Sequence, residues 1–500
     1  MMMVHSRGIW GLAALCIASS VRAAEPDTRV IDAVKSGDQM TVQQLLRSRA
    51  DVNGAEPDGT TALMWAVRAN KADLVRQLLK AGANVRTTNR YGVTPLTLAA
   101  TNGDAPITRL LLDAGADPHA AFPEGETVLM TAARTGDPEV LRLLLDRGAD
   151  VNAREGEMGE TALMWAAAEN HPDAVSVLIK RGADLNARSN ALKFPKYLFN
   201  GSTMVSTPLP RGGMTALLLA AREGAVDGVR SLVEGGANLN ITDPDGTTPL
   251  VMAIINRHND IAKFLIEHGA DPNVADSTGM TALYAAVDLR TLGPLINRPT
   301  PKPTSTVDNA EVVEALLAHG ANANAQLRLP ILPRYHNAGD KQLAEGATPL
   351  MRAAKALDLP MMKVLLEHGA NPSLSTKNFM TPMIFAASGG GRGRIEDADV
   401  ITALTLCLDH GADINAFDNT GATALFAAVQ RGDSIVKFLV EHGADLDIRD
   451  KQGRTPLDVA MGITNAFNDP RAATPRPAAR ESTVALLKQL MDARDSSRAR

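Results

Sequence analysis

The sequence predicts an all-α protein, an α-solenoid of about twelve stacked helix pairs joined by short β-hairpin fingers. Three observations carry that reading. A stretch of about 33 residues recurs along most of the chain. In each copy a Thr precedes one apolar helix, and a Gly follows a second helix with Leu at helical spacing. The composition is 45% apolar and 21% charged but only 3% aromatic, so Ala, Leu and Gly fill a core that suits small, closely packed helices better than a sandwich or barrel.

The chain begins with what reads as an export signal over residues 1–23. His5 and Arg7 precede an apolar run from Ile9 to Ala18, and Val21-Arg22-Ala23 fits a small-x-small cleavage site. The run is short for a membrane anchor. Leu15 stands before Cys16 where a lipoprotein signal would have a small residue, so lipidation is not expected. Cleavage after Ala23 would remove Arg7 and Arg22 and no acid, lowering the net charge of −5 by a further two. An acidic chain of this kind is not a general polyanion binder, and no nucleic-acid partner is expected. Cys407 would remain as the one cysteine, so stability must come from packing rather than disulfides.

The repeats follow over residues 28–495. They read "TALMWAVRANKADLVRQLLKAGANV" from Thr61, "TPLTLAATNGDAPITRLLLDAGADP" from Thr94, "TVLMTAARTGDPEVLRLLLDRGADV" from Thr127 and "TALMWAAAENHPDAVSVLIKRGADL" from Thr161. Further copies start at Thr215, Thr248, Thr281, Thr348, Thr381, Thr423 and Thr455, after a degenerate first copy that begins near Val30. Thr is placed to cap the first helix by accepting from its free N–H groups. Pro at the next position, as at Pro95 and Pro249, sits where no helical donor is lost. Paired alanines such as Ala99-Ala100 and Ala220-Ala221 let neighbouring helices approach. Gly82, Gly115, Gly148 and their equivalents close the second helix in the left-handed conformation.

These residues resemble the ankyrin repeat, with its T-P-L-H-x-A opening and G-A-D-V-N ending, and the chain is similar to exported bacterial ankyrin-repeat proteins. One departure recurs. The signature His is replaced by Met64, Met130, Met164, Leu218, Val251, Tyr284, Met351, Ile384 or Phe426, which predicts apolar packing there. The end copies are atypical: Arg49 stands where later copies have Gly, and the last lacks Gly-Ala-Asp. End copies face water rather than a neighbour.

Five insertions break the period. Two, 191–213 and 326–346, fall in the fingers between repeats. Three, 290–309, 389–398 and 462–480, fall between the helices of one repeat and read as tolerated loops. The finger insertions share Leu-Pro-Arg, at Leu209-Pro210-Arg211 and Leu332-Pro333-Arg334, and a basic bias from Lys193, Lys196, Arg211, Arg328, Arg334 and His336. Ankyrin proteins bind through fingers and first helices, so the resemblance places both insertions on the binding edge; their length, shared Leu-Pro-Arg and basic bias point to two clamps for an anionic or apolar partner surface, the other reading being long loops that a solenoid tolerates. Trp65 and Trp165 take a variable position of the first helix, open to either the concave face or inter-repeat packing. Arg352 holds the same position and is expected to face solvent or a partner.

No pattern for catalysis emerges. His268, His319, His368, His410 and His442 all precede the Gly that ends a second helix, where a donor suits the helix C-terminus. Cys407 aligns with the core position of Leu365 and reads as a small buried hydrophobe. "GGGRG" at Gly389–Gly393 lacks the G-K-[ST] ending of a phosphate loop. No cofactor and no metal site is expected. The reading is a non-catalytic protein-interaction scaffold, exported to the periplasm or beyond, that binds a protein partner through its concave face and finger insertions without the mature chain entering the membrane. The alternative is an enzyme or small-molecule binder with a site built from the basic finger insertions.

Overall fold

The computed structural model describes residues 27–192, 211–291, 305–329, 343, 345–389, 395–463 and 480–498. Among the described residues, twenty-four helices run in successive pairs from Arg29–Ser36 to Glu481–Arg498, and the one strand pair is two residues long. The chain is the all-α solenoid that the repeat predicts. It divides into two compact bodies, one reaching to Asp117 and one beginning at Pro118. Inside each body, the first or inner helix of a repeat packs against the inner helices on either side. The second or outer helices do likewise. Repeats are named below by their capping Thr.

The inner helices form as the capping logic requires. The Thr215, Thr248, Thr348 and Thr381 hydroxyls accept the N–H three residues on, while Thr423 shows extended backbone but makes no such bond. The alanine pairs vanish from solvent: Ala99, Ala100, Ala166, Ala167, Ala220 and Ala221 are fully buried. Met64, Met130, Met164, Leu218, Val251, Tyr284, Met351, Ile384 and Phe426 are all buried, so apolar packing does replace the signature His. Two repeats keep a polar residue at that position. Thr97 and Asp458 each accept back from the backbone N–H of their capping Thr, completing a reciprocal cap.

The glycines that close the outer helices, from Gly82 to Gly443, all lie at φ between 83° and 96°. At Gly82, Gly148 and Gly182 an added Cβ would meet nothing within 4 Å, so glycine is needed for its backbone angle and not for space. Arg49 takes the same left-handed conformation, φ 57°, at the first repeat. At several of these turns, the one at Arg49 included, an Asn four residues on stitches one repeat to the next. Asn152 donates to Gly182 O at 3.1 Å and accepts from Asp184 N at 2.8 Å. Asn53, Asn273, Asn324 and Asn415 do the same with their own neighbours. These amides satisfy backbone groups that the helix ends leave open.

The fingers are narrow turns. In several fingers an Asp or Asn five residues before the capping Thr accepts two backbone N–H groups of its own turn, as Asp243 does from Asp245 and Thr247 at 2.9 and 2.7 Å. Successive fingers are tied by backbone bonds, for example Ser277 N to Asp245 O and Lys451 N to Thr420 O, both 2.8 Å. The two finger insertions leave this scaffold through closed necks. Ala191–Leu192 pairs antiparallel with Arg211–Gly212, and Leu327 exchanges backbone bonds with Gly346 and Ala347.

Candidate protein-binding face

The inner helices carry a ladder of side-chain pairs. Trp165, Arg352 and Phe385 each stand four residues after a capping Thr, and Arg134, Asp288 and Lys355 seven residues after one. These offsets put the two columns on one helix face, about a turn apart. Stacking then sets the second column of one repeat against the first column of the next. Arg134 lies over the Trp165 ring at 4.9 Å, Arg352 Nε donates to Asp288 Oδ1 at 2.5 Å, and Lys355 lies over the Phe385 ring at 5.8 Å.

The Trp165 rung is open. The indole is half-buried, and its Nε1 donates to Glu160 Oε2 at 2.9 Å. Arg134 is steered over the ring by Glu126, which pairs with the guanidinium at 3.2 Å and accepts from Thr131 at 2.9 Å. Below Arg134, His171 Nε2 meets the Arg134 carbonyl at 3.0 Å. Its ring fills the space beside Gly136, where a Cβ would come within 2.5 Å. A cleft of about 190 Å³ opens between Trp165, Arg134, Leu219, Glu169 and Arg222. Such a rung offers a partner an apolar ring face and charged edges together.

Trp65, in the other body, is built by the same rule. Its Nε1 donates to Glu56 Oε2 at 2.7 Å, and Lys35 and Arg68 lie over the ring at 4.5 and 5.3 Å. Lys35 also pairs with Glu56 at 2.7 Å. The Lys35 ammonium, and secondly the indole N–H, hold the Glu56 carboxyl below its ordinary range. A cleft of about 260 Å³ lies between Trp65, Arg68, Tyr91 and Leu98. Both tryptophans thus serve inter-repeat packing and an open surface at once.

Arg352 corrects the sequence reading. It is 9% exposed and faces Asp288 rather than solvent. A desolvated guanidinium needs an anion, and the preceding repeat supplies one at the register where Arg134 meets Trp165. Beside it, Arg290 pairs with Asp358 at 2.6 Å, a second ion pair between the same two repeats. The signal was present in the sequence as a column: Asp288 occupies the seventh position after Thr281, opposite the fourth position after Thr348.

Of the basic finger residues, Arg328 is exposed and its backbone N–H donates to Thr278 O at 2.7 Å. The Arg211 backbone lies in the neck of the first insertion. Lys193, Lys196, Arg334, His336 and the Arg211 side chain, on which the expected clamps rest, lie outside the described residues. The five histidines before the closing glycines turn back on their own helices, with Nδ1 2.7 to 2.9 Å from the carbonyl four residues earlier. Cys407 is buried, and burial pushes its thiol up to about 12, which keeps it protonated. Among the described residues, no three His, Cys, Asp or Glu side chains are placed to hold a metal ion, and no helix is long and apolar enough to cross a membrane.

A family model described as "Ankyrin repeats (3 copies)" matches residues 30–122, 119–189, 217–327, 304–418 and 394–467. The chain belongs to the ankyrin-repeat family. Ankyrin repeats generally mediate protein–protein interactions, and the family is typically non-enzymatic.

Proposed function

We propose that this chain is a non-catalytic scaffold, exported to the periplasm, that holds a protein partner of the cell envelope on its inner-helix face and finger insertions. The observation that carries the proposal is the open Trp165 rung and its counterpart at Trp65. Each pairs a half-buried indole with a cation on the ring, a carboxylate on Nε1 and an adjoining cleft. Aromatic and Arg side chains at a partly desolvated site are the usual anchors of protein interfaces. The closed necks at Ala191–Leu192 and at Leu327 support a role for the insertions, because each long loop starts and ends at one point of the finger edge. Export rests on the leader over residues 1–23, which lies outside the described residues.

The test is cross-linked co-purification from the native envelope fraction. The full chain would be compared with a chain lacking 193–210 and 330–342, and with Trp65→Ala and Trp165→Ala chains. A single protein captured by the full chain, and lost or weakened in these variants, is the expected result. Equal capture by all of them would refute the assigned surfaces. Recovery of the chain from the cytoplasmic fraction with residues 1–23 intact would refute the location.

A further inference from the structure

The turns between inner and outer helices hold one irregularity. From the Thr61 repeat to the Thr248 repeat, the residue nine after the capping Thr lies in the left-handed region, at φ between 54° and 86°. Asn70, Gly103, Gly136, Asn170 and Gly224 are Asn or Gly, which tolerate that conformation. The last of the series is Arg257, at φ 64°. An Arg is disfavoured there, because its Cβ crowds the following carbonyl. At Gly136 and Gly224 the residue that precedes the next outer helix fills the space beside the turn. The His171 and His258 rings would each lie 2.5 Å from an added Cβ. Their Nε2 atoms meet the Arg134 and Arg222 carbonyls at 3.0 and 3.1 Å.

In the repeat after Arg257 the residue before the outer helix is Asp308, and a cavity of about 460 Å³ is lined by both Arg257 and Asp308. That volume is in the range of small-molecule sites. One wall is pinned to the Thr248 repeat: Ser305 Oγ accepts from Asp260 N, and Asn259 Nδ2 donates to Val307 O, both at 3.0 Å. Leu289 and Val307 add apolar surface. The charged side chains of the lining are Arg257, Arg290 and Asp308. Arg290 is balanced by Asp358 at 2.6 Å. Arg257 is half-buried, and its guanidinium makes no hydrogen bond or ion pair with a described residue. Asp308 caps Asn309–Ala318, accepting from Asn309 N at 2.7 Å, and has no ion-pair partner among the described residues. The cavity therefore holds one cation and one anion that do not meet each other.

We propose that this cavity binds a small zwitterion with an apolar side chain, a free amino acid or a short peptide. Arg257 takes the carboxylate, Asp308 the ammonium, and Leu289 and Val307 the side chain. A guanidinium offers a carboxylate paired donors in one plane. The Asp308 carboxylate keeps lone pairs beyond those used in the cap. A simple anion would satisfy Arg257 and face the Asp308 charge, and a simple cation would do the reverse. The strain at Arg257 fits this role, since Asn or Gly would serve the turn and carry no charge. The site belongs to the turns between helices and not to the fingers, and the proposal is separate from the scaffold reading.

The test is equilibrium dialysis of the full chain with labelled L-leucine and labelled Leu-Leu, which separate the amino acid from the peptide. The controls are 4-methylpentanoate, which lacks the ammonium, and 3-methylbutylamine, which lacks the carboxylate. At least one zwitterion should bind, and each single-charge analogue should bind at least about tenfold more weakly. Arg257→Gly restores the residue used at Gly136 and Gly224, so the thermal midpoint should not fall. Zwitterion affinity should nevertheless drop at least about tenfold. Asp308→Asn keeps a good capping residue and removes the charge. It should weaken the zwitterion by a similar factor and leave 4-methylpentanoate binding no weaker. Absence of binding by both zwitterions, equal binding by a single-charge analogue, or unchanged affinity in Arg257→Gly would overturn the proposal.

Discussion

The Trp165 and Arg352 rungs occupy the same step of the ladder and end differently. Each joins the fourth position of one repeat to the seventh of the repeat before it. At Trp165 a cation meets an aromatic ring, the pair is half-buried, and a cleft remains. At Arg352 a cation meets a carboxylate and the pair closes, with side chains 10% and 7% exposed. The backbone is the same, so the difference lies in side-chain chemistry. An indole can rest beside a cation with one face toward water. A guanidinium and a carboxylate at 2.5 Å satisfy each other and leave little to offer a partner. One rung is a surface and the other a clamp.

The largest effect should come from breaking the clamp. Arg352→Ala removes the guanidinium that pairs with the buried Asp288 carboxylate and should cost about 3–5 kcal/mol. Hydrogen exchange should show the loss concentrated in the Thr281 and Thr348 repeats, since stacked repeats are stabilised mainly by their neighbours. Replacing both partners, as in Arg352→Met with Asp288→Leu, should recover most of it. A neutral Arg352→Ala would mean that the pair is not closed in solution.

Gly136→Ala comes next. The new Cβ meets the His171 ring at 2.5 Å and sits at φ 86°. A loss of about 2–4 kcal/mol is expected in denaturant unfolding from overpacking and left-handed strain together. Moving His171 also frees the Arg134 carbonyl, so the Arg134 cover on Trp165 should loosen and the indole emission should shift to the red.

Trp165→Ala should cost roughly 2 kcal/mol, about half the penalty for a fully buried Trp. Its larger consequence should be loss of partner capture, whereas Arg352→Met with Asp288→Leu should leave capture intact. That contrast, read in the same co-purification, separates surface from clamp directly.

The smallest effect is the acid response of the Trp65 rung. Glu56 is held below its ordinary value of 4.5 in the folded chain. A depressed carboxylate contributes stability that is present above its unfolded value and lost as pH falls through the folded one. Below about pH 4.5 the Lys35–Glu56–Trp65 cluster should weaken, by less than about 1 kcal/mol for such a partly exposed pair. Trp65 fluorescence in a Trp165→Phe chain without residues 1–23 would follow it. A flat titration down to about pH 3 would show that Glu56 is not coupled to the indole.

Much of this protein was legible as a line of letters. Thr before an apolar run caps a helix, and Gly after one closes it, because both effects act within a few residues and recur in each repeat. The apolar substitutes for the signature His were read correctly for the same reason: any residue at that position points into the stack. The histidines before the closing glycines could also be placed, since their partners lie four residues back on the same helix. Arg352 was misread because its partner is Asp288, 64 residues away and on another helix. The Asn bonds between repeats escaped notice too, since an Asn in a turn looks like a turn residue until the next repeat is stacked against it.

Local chemistry therefore determined the repeat, its caps and its buried positions, and these follow from the sequence alone. Which side chains meet across the stack was decided by the register of one repeat on the next. That register makes Trp165 a surface and Arg352 a clamp. Short-range effects such as capping and left-handed turns need only neighbours in the chain. Desolvation and charge pairing depend on what packs overhead, which is known only once the repeats are in place.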